Sequence, residues 1–204
     1  MNAADAYRII DKYYPAGSSL RDIYLRHCRS VAALSLEILD RKKLPLDRET
    51  VEAAALLHDI GIYATDAPSI ECHGPEPYLR HGVIGAELLR REGVPEESAA
   101  VAERHTGAGL TAREIRDSHL PLPECDLLPR TLLEKLVCYA DKFYSKSGSM
   151  QRKSLEKVRA SMARFSPAVL ARFDALHTLF ALRPAYSTRA SKQGQALAAN
   201  SRCP

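Results

Sequence analysis

Leu56-Leu57-His58-Asp59-Ile60-Gly61 sets an imidazole and a carboxylate side by side at the end of an apolar run. A carboxylate among apolar neighbours is costly to bury unless something pairs with its charge. The doublet therefore raises the question of where that partner comes from. Upstream, Asp47 is placed to cap a helix whose inward face is Val51, Ala54, Ala55 and His58. Gly61 is expected to end that helix, because glycine enters the left-handed conformation at little cost.

Working outward, the period stays helical nearly everywhere. A first helix over about residues 4–14 carries Ala6, Ile9, Ile10 and Tyr13 on one stripe and stops at Pro15. After a turn from Gly17 to Ser19, a long helix runs to about Asp40 with Tyr24, His27, Val31, Leu34 and Ile38 inward. A loop is expected from about Tyr63 to Pro77, where Pro68, Gly74, Pro75 and Pro77 cluster. A fourth helix, about Tyr78–Glu92, puts His81, Ile84, Gly85 and Leu88 on one face. A fifth opens at Pro95-Glu96-Glu97, turns Val101, Ala102 and His105 inward and stops at Gly107. Thr111-Ala112-Arg113-Glu114 and Thr131-Leu132-Leu133-Glu134 read as capping boxes. The second opens a helix with Leu133, Leu136, Val137, Ala140 and Tyr144 inward and Asp141 at its inward edge. A Pro-rich connection, Leu120 to Arg130, separates them. Two more amphipathic segments, about 150–165 and 167–182, meet at Pro167. No alternating strand pattern stands out. The expected fold is all-α: one bundle of about seven to nine helices over residues 1–182. Its central part covers about 20–145 and its C-terminal helices about 150–182.

The composition fits a globule rather than a disordered chain: 204 residues, 46% hydrophobic and 26% charged. The longest stretch without a polar residue, Ala53 to Leu57, is far short of the roughly 18 apolar residues a membrane span needs. The N-terminus lacks the pattern of a secretory signal. The cysteines at 28, 72, 125, 138 and 203 form no C-x-x-C, so neither a disulfide framework nor a zinc ribbon is indicated. These features give the expectation of a cytoplasmic protein. The net charge of +4 comes from Arg183, Arg189, Lys192 and Arg202, which leaves residues 1–182 balanced. Nucleic-acid binding needs cations clustered on a folded face, so a nucleic-acid partner is not expected. Residues 183–204 read as a basic, flexible tail.

The histidines carry the chemistry. His27, His58, His81 and His105 each fall at or beside the apolar stripe of a different helix, with Asp59 and Asp141 near the same interior. Any one of these groups alone is ordinary in a core. Together, imidazole and carboxylate are the usual ligand set for zinc, iron or manganese, and bundle interiors hold such sites. No P-loop, dinucleotide-binding glycine motif or Ser-His-Asp arrangement competes.

That order of His, His-Asp, His, His and Asp resembles the HD-domain superfamily of metal-dependent phosphohydrolases, over roughly residues 20–145. Arg26-His27-Cys28-Arg29-Ser30-Val31-Ala32 looks like the family's first ligand helix, and the 56–61 stretch like its doublet. Tyr139-Ala140-Asp141-Lys142 looks like its closing acid. Arg80-His81-Gly82 and Glu103-Arg104-His105-Thr106-Gly107 resemble the further histidine motifs of relatives such as symmetrical dinucleoside tetraphosphatases. The Gly-Tyr-Pro motif of the cyclic-dinucleotide phosphodiesterases is not seen.

The resemblance implies that His27, His58, Asp59 and Asp141 ligate one metal ion. In dinuclear relatives Asp59 bridges to a second ion on His81 and His105; in mononuclear ones those two histidines meet the substrate phosphates. One or two divalent ions of Fe, Mn, Zn, Ni or Co are therefore expected. Asp59, His81 and His105 are the expected catalytic residues, and Arg26, Arg104, Thr106, Lys142 and Lys146 the candidate substrate contacts. His73 reads first as an exposed histidine of the long loop, with lining an entrance as the alternative, while His119, His177, Cys28 and Cys138 read as structural. The expected activity is metal-dependent hydrolysis of a phosphomonoester or phosphodiester in a nucleotide or small phosphorylated metabolite. Two other readings stay open: a di-iron oxygenase of the same family, and a non-catalytic metal or nucleotide sensor. The sequence leaves oligomeric state open, a homodimer included.

Overall fold

The computed structural model describes residues 1–182; the segment read as a basic tail lies outside the described residues. Nine α-helices occur among the described residues: α1 Ala3–Tyr13, α2 Ser19–Lys42, α3 Arg48–Leu57, α4 His81–Arg91, α5 Glu96–Arg104, α6 Ala112–Asp117, α7 Leu132–Asp141, α8 Leu155–Ala163 and α9 Pro167–Phe180. The all-α reading holds. Local chemistry sets the helix starts. Ser18, Asp47, Thr111, Thr131 and Ser154 each accept the backbone N–H three residues on, and both expected capping boxes form. No described helix is long and apolar enough to cross a membrane.

The core is layered around α3, which packs against α1, α2, α5 and α7. Its run Ala53-Ala54-Ala55-Leu56-Leu57 is buried throughout, and small side chains let the neighbouring helices approach closely. α8 and α9 pack on each other, and α9 also packs against α7, where Phe143, Phe173 and Tyr139 form an aromatic cluster. A smaller apolar cluster of Val83, Ile115 and Leu127 fastens the Pro-rich connection to α4.

Three expectations are corrected. The 63–77 loop contains a small sheet: β1 Thr65–Ala67 lies between β2 Cys72–His73, antiparallel, and β3 Glu76–Pro77, parallel. Strands of two or three residues are too short to show an alternating period. The fourth helix begins three residues late, since Tyr78–Arg80 is a 3-10 turn and the α-helix starts at His81 itself. Gly61 does not end α3 in a left-handed conformation. The helix stops at Leu57, and a 3-10 turn runs on over Ile60–Ala64. What Gly61 supplies is room: a Cβ there would collide with the His81 carbonyl oxygen and the Gly85 nitrogen. The missing side chain is what lets α4 lie against the His-Asp doublet.

Candidate metal centre

His58 and Asp59 sit where α3 ends. A helix end leaves carbonyls without partners, and here two tyrosines satisfy them. The Tyr24 hydroxyl donates to Leu56 O at 2.6 Å and the Tyr14 hydroxyl to Ile60 O at 2.9 Å, with the two rings stacked 4.2 Å apart. The doublet is thereby fixed on both sides. His27 comes from the middle of α2, His81 from the first residue of α4, His105 from the residue after α5, and Asp141 from the last residue of α7. All six side chains are buried.

Asp59 lies at the centre, and its two oxygens face different partners. Oδ2 is 3.0 Å from His27 Nε2 and 3.1 Å from His58 Nε2. Asp141 Oδ1 completes that group, 3.0 Å from His27 Nε2 and 3.6 Å from His58 Nε2. Oδ1 is 3.4 Å from His81 Nε2 and 3.3 Å from His105 Nε2. Two donor sets therefore share one carboxylate: His27, His58, Asp59 and Asp141 on one side, Asp59, His81 and His105 on the other.

The imidazoles are oriented for coordination. His58, His81 and His105 each place Nδ1 at 2.7 to 2.8 Å from the carbonyl three residues before, at Ala55, Tyr78 and Ala102. A carbonyl only accepts, so Nδ1 carries a proton in each and Nε2 is the atom that faces the centre, as a bare lone pair in His81 and His105. Burial, and then the neighbouring His105, push the His81 pKa down to about 3. Burial lowers that of His105 too. Two neutral imidazoles thus meet Nε2 to Nε2 at 3.0 Å, both beside an anionic oxygen, with no proton among the three atoms. Asp59 Oδ1, between these two imidazoles, has no hydrogen-bond donor. Lone pairs converging in this way fit a cation, and the set fits a divalent transition metal.

On the other side the charges are balanced differently. Burial opposes a charged His58, but Asp59, Cys28 and Asp141 outweigh it and hold the imidazole well above its usual range. Burial would likewise raise Asp59, yet His58 and Lys146 keep the carboxyl well below the usual range. Lys146 Nζ stands 2.6 Å from Asp59 Oδ2 and 5.9 Å from the Tyr78 ring centroid. Lys142 is buried, with Nζ 2.7 Å from Asp141 Oδ2 and donating to His105 O at 2.9 Å.

A cavity of about 600 Å³ opens from this centre, and His81, His105, Asp141, Thr106, Lys142 and Lys146 line part of it. The remaining wall is largely apolar, with Ile70, Leu79, Leu110, Met162, Phe165 and Val169. The candidate contacts divide accordingly. Thr106, Lys142 and Lys146 reach the cavity. Arg104 does not line it and pairs with Glu134 at 3.0 Å and Glu103 at 3.2 Å. Arg26 is exposed and lies against Met150 Sδ. His73 is exposed on the small sheet, His119 is exposed, and His177 Nδ1 is 2.9 Å from the Tyr139 hydroxyl. Burial raises both cysteine thiols, Cys138 to about 11, in keeping with packing roles. Lys153 and the cavity-lining Tyr78 were not singled out from the sequence, and Tyr144, which also lines the cavity, was read only as an inward packing residue. Nothing in helical period marks a lysine between two helices as inward.

Comparison with known proteins gives one family and a few relatives. The family model described as HD domain matches residues 24–145. A tRNA (cytidine(56)-2'-O)-methyltransferase of Picrophilus torridus is 34% identical over 134 residues, 66% of this chain and 35% of that protein. Its namesake in Thermoplasma volcanium is 35% identical over 69% of this chain and 37% of that protein. An uncharacterised protein of Methanocaldococcus jannaschii is 42% identical over 57% of this chain and 63% of that protein. The chain thus spans between about a third and under two thirds of these curated relatives. Among solved structures, the HD domain of the L. monocytogenes phosphodiesterase PgpH matches with TM-score 0.49 and 16% identity, covering 85% of this chain and 96% of that one. The same domain in complex with cyclic-di-AMP matches with TM-score 0.49 and 15% identity, covering 89% and 99%.

Proposed function

The chain belongs to the HD domain family, and from that membership we propose that it is a metal-dependent phosphohydrolase acting on a nucleotide or another small phosphorylated metabolite. The observation that carries the reading is the shared carboxylate. Asp59 turns one oxygen to His27 and His58 and the other to His81 and His105. His27, His58, Asp59 and Asp141 would hold one ion, and Asp59, His81 and His105 a second. Such ions supply a Lewis acid for phosphoryl oxygens and a water acidic enough to serve as hydroxide near neutral pH.

The chain's own groups do the rest. His81, His105 and Thr106 lie at the cavity wall, where a phosphoryl group would come to rest. Asp59 would orient the attacking water from its buried position. Lys142, tied to Asp141 and to the His105 carbonyl, acts as a positioning residue that keeps the two donor sets in register. Lys146, 2.6 Å from Asp59 Oδ2, also lines the cavity and would serve there as a phosphate contact. The methyl transfer named for two relatives is not carried over, because the match covers 35% and 37% of those proteins.

The test is metal analysis of protein purified without chelators, followed by a panel of phosphomonoesters and phosphodiesters. Wild type should retain a transition metal and release phosphate or open a diester. Asp59→Ala should lose metal and turnover while its far-ultraviolet circular dichroism stays helical. Wild-type turnover in Asp59→Ala, or iron-dependent oxygen uptake without phosphate release, would overturn the proposal.

A further inference from the structure

Three lysines line the cavity: Lys142, Lys146 and Lys153. Two are already matched, Lys142 by Asp141 at 2.7 Å and Lys146 by Asp59 at 2.6 Å. Lys153 has no carboxylate within ion-pair distance among the described residues. Its backbone is nevertheless pinned. Its N–H donates to Phe143 O at 2.8 Å. The preceding Arg152 lies 5.5 Å over the Phe143 ring and 3.7 Å from Glu37 of α2. The side chain is half-buried in the wall between α7 and α8.

Keeping an ammonium in such a place without a counter-charge is unfavourable. Consistent with that cost, burial lowers the amine's pKa from its usual value. Long lysine stems do lie along apolar surface with the head in water, but this one lines the same cavity as the candidate metal centre. We propose that Lys153 anchors a second anionic group of the substrate, one distinct from the phosphoryl group at the metal centre. The substrate class is then a phosphorylated molecule bearing another phosphate or carboxylate, with an apolar part against Met162, Phe165 and Val169. This rests on the phosphohydrolase reading and narrows it.

Non-hydrolysable probes separate the two. Alkane bisphosphonates from methylene to butylene carry two anionic groups at graded separation, and alkyl monophosphonates of matching length carry one. Binding is measured by calorimetry on metal-loaded protein, with ion content determined on the same samples. In wild type, at least one bisphosphonate should bind about tenfold or more tighter than its monophosphonate partner, the scale of one charge-assisted contact. Lys153→Met should erase that gain, and Lys153→Arg should keep most of it. An equal gain in Lys153→Met, or no gain at any length in wild type, overturns this inference alone. Wild-type protein without bound metal overturns the phosphohydrolase reading, and this inference with it.

Discussion

His81 and His58 show how one kind of side chain is set to two states within a single centre. Burial and the adjacent His105 keep His81 neutral down to about pH 3. The carboxylates of Asp59 and Asp141 hold the proton on His58 well above the usual imidazole range, in spite of burial. An ion bound by His27, His58 and Asp141 must displace that proton. Its affinity should fall roughly tenfold per pH unit below the His58 pKa. An ion on His81 and His105 displaces none, so its affinity should stay level between about pH 6 and 8. Calorimetric metal titrations at several pH values should resolve one pH-dependent site and one flat site; two parallel dependences would contradict this assignment. The residue scale also shows where sequence proximity misleads. Arg26 and Arg104 each precede a candidate ligand, but neighbours on a helix point about 100° apart, so Arg26 faces out and Arg104 turns to Glu134. Lys142 follows a ligand too, yet it stands past the last turn of α7, where the chain is free to bring it inside.

At the scale of elements, the four histidines stood out because each continues the inward stripe of a regular period, His27 within α2, His81 at the first residue of α4, and His58 and His105 just past the ends of α3 and α5, and period is what a sequence displays. The capping boxes at Thr111 and Thr131 were legible for the same reason, being local. The sheet around Thr65–Ala67 and the role of Gly61 were not, because both depend on chain segments that meet only in the folded state. The close approach at Gly61 can be tested directly. Gly61→Ala puts a methyl group against the His81 carbonyl and Gly85, both backbone of α4, with no flexible side chain to yield. Overpacking of this kind costs about 2–3 kcal/mol or more, and it should displace His81. Chemical denaturation should give that loss, and metal affinity at the His81 and His105 site should drop with it. A variant with wild-type stability and metal content would show that the helices tolerate separation here.

At the scale of the whole molecule, the proposed centre links ion binding to stability. The candidate ligands come from, or from just beyond, α2, α3, α4, α5 and α7, so an ion bound among them would fasten five helices. An ion that binds only the folded chain at about a hundred times its dissociation constant adds about 2.7 kcal/mol. For a chain of this size that amounts to roughly 5–10 °C in melting temperature. Stripping the protein with a chelator should lower its melting temperature by that much, and restoring the metal should recover it; identical melting with and without chelator would contradict the linkage. Substrate identity was the part least legible at this scale, because the cavity wall joins α8 and α9 to helices far away in the chain, and Lys153 became visible only once they were packed. The most direct test of the bridging carboxylate is an anomalous difference map from crystals of protein purified without chelators. It should contain two peaks flanking Asp59, one among His27, His58 and Asp141 and the other beside His81 and His105. A map with no peak at Asp59, or with one side alone filled, would contradict it.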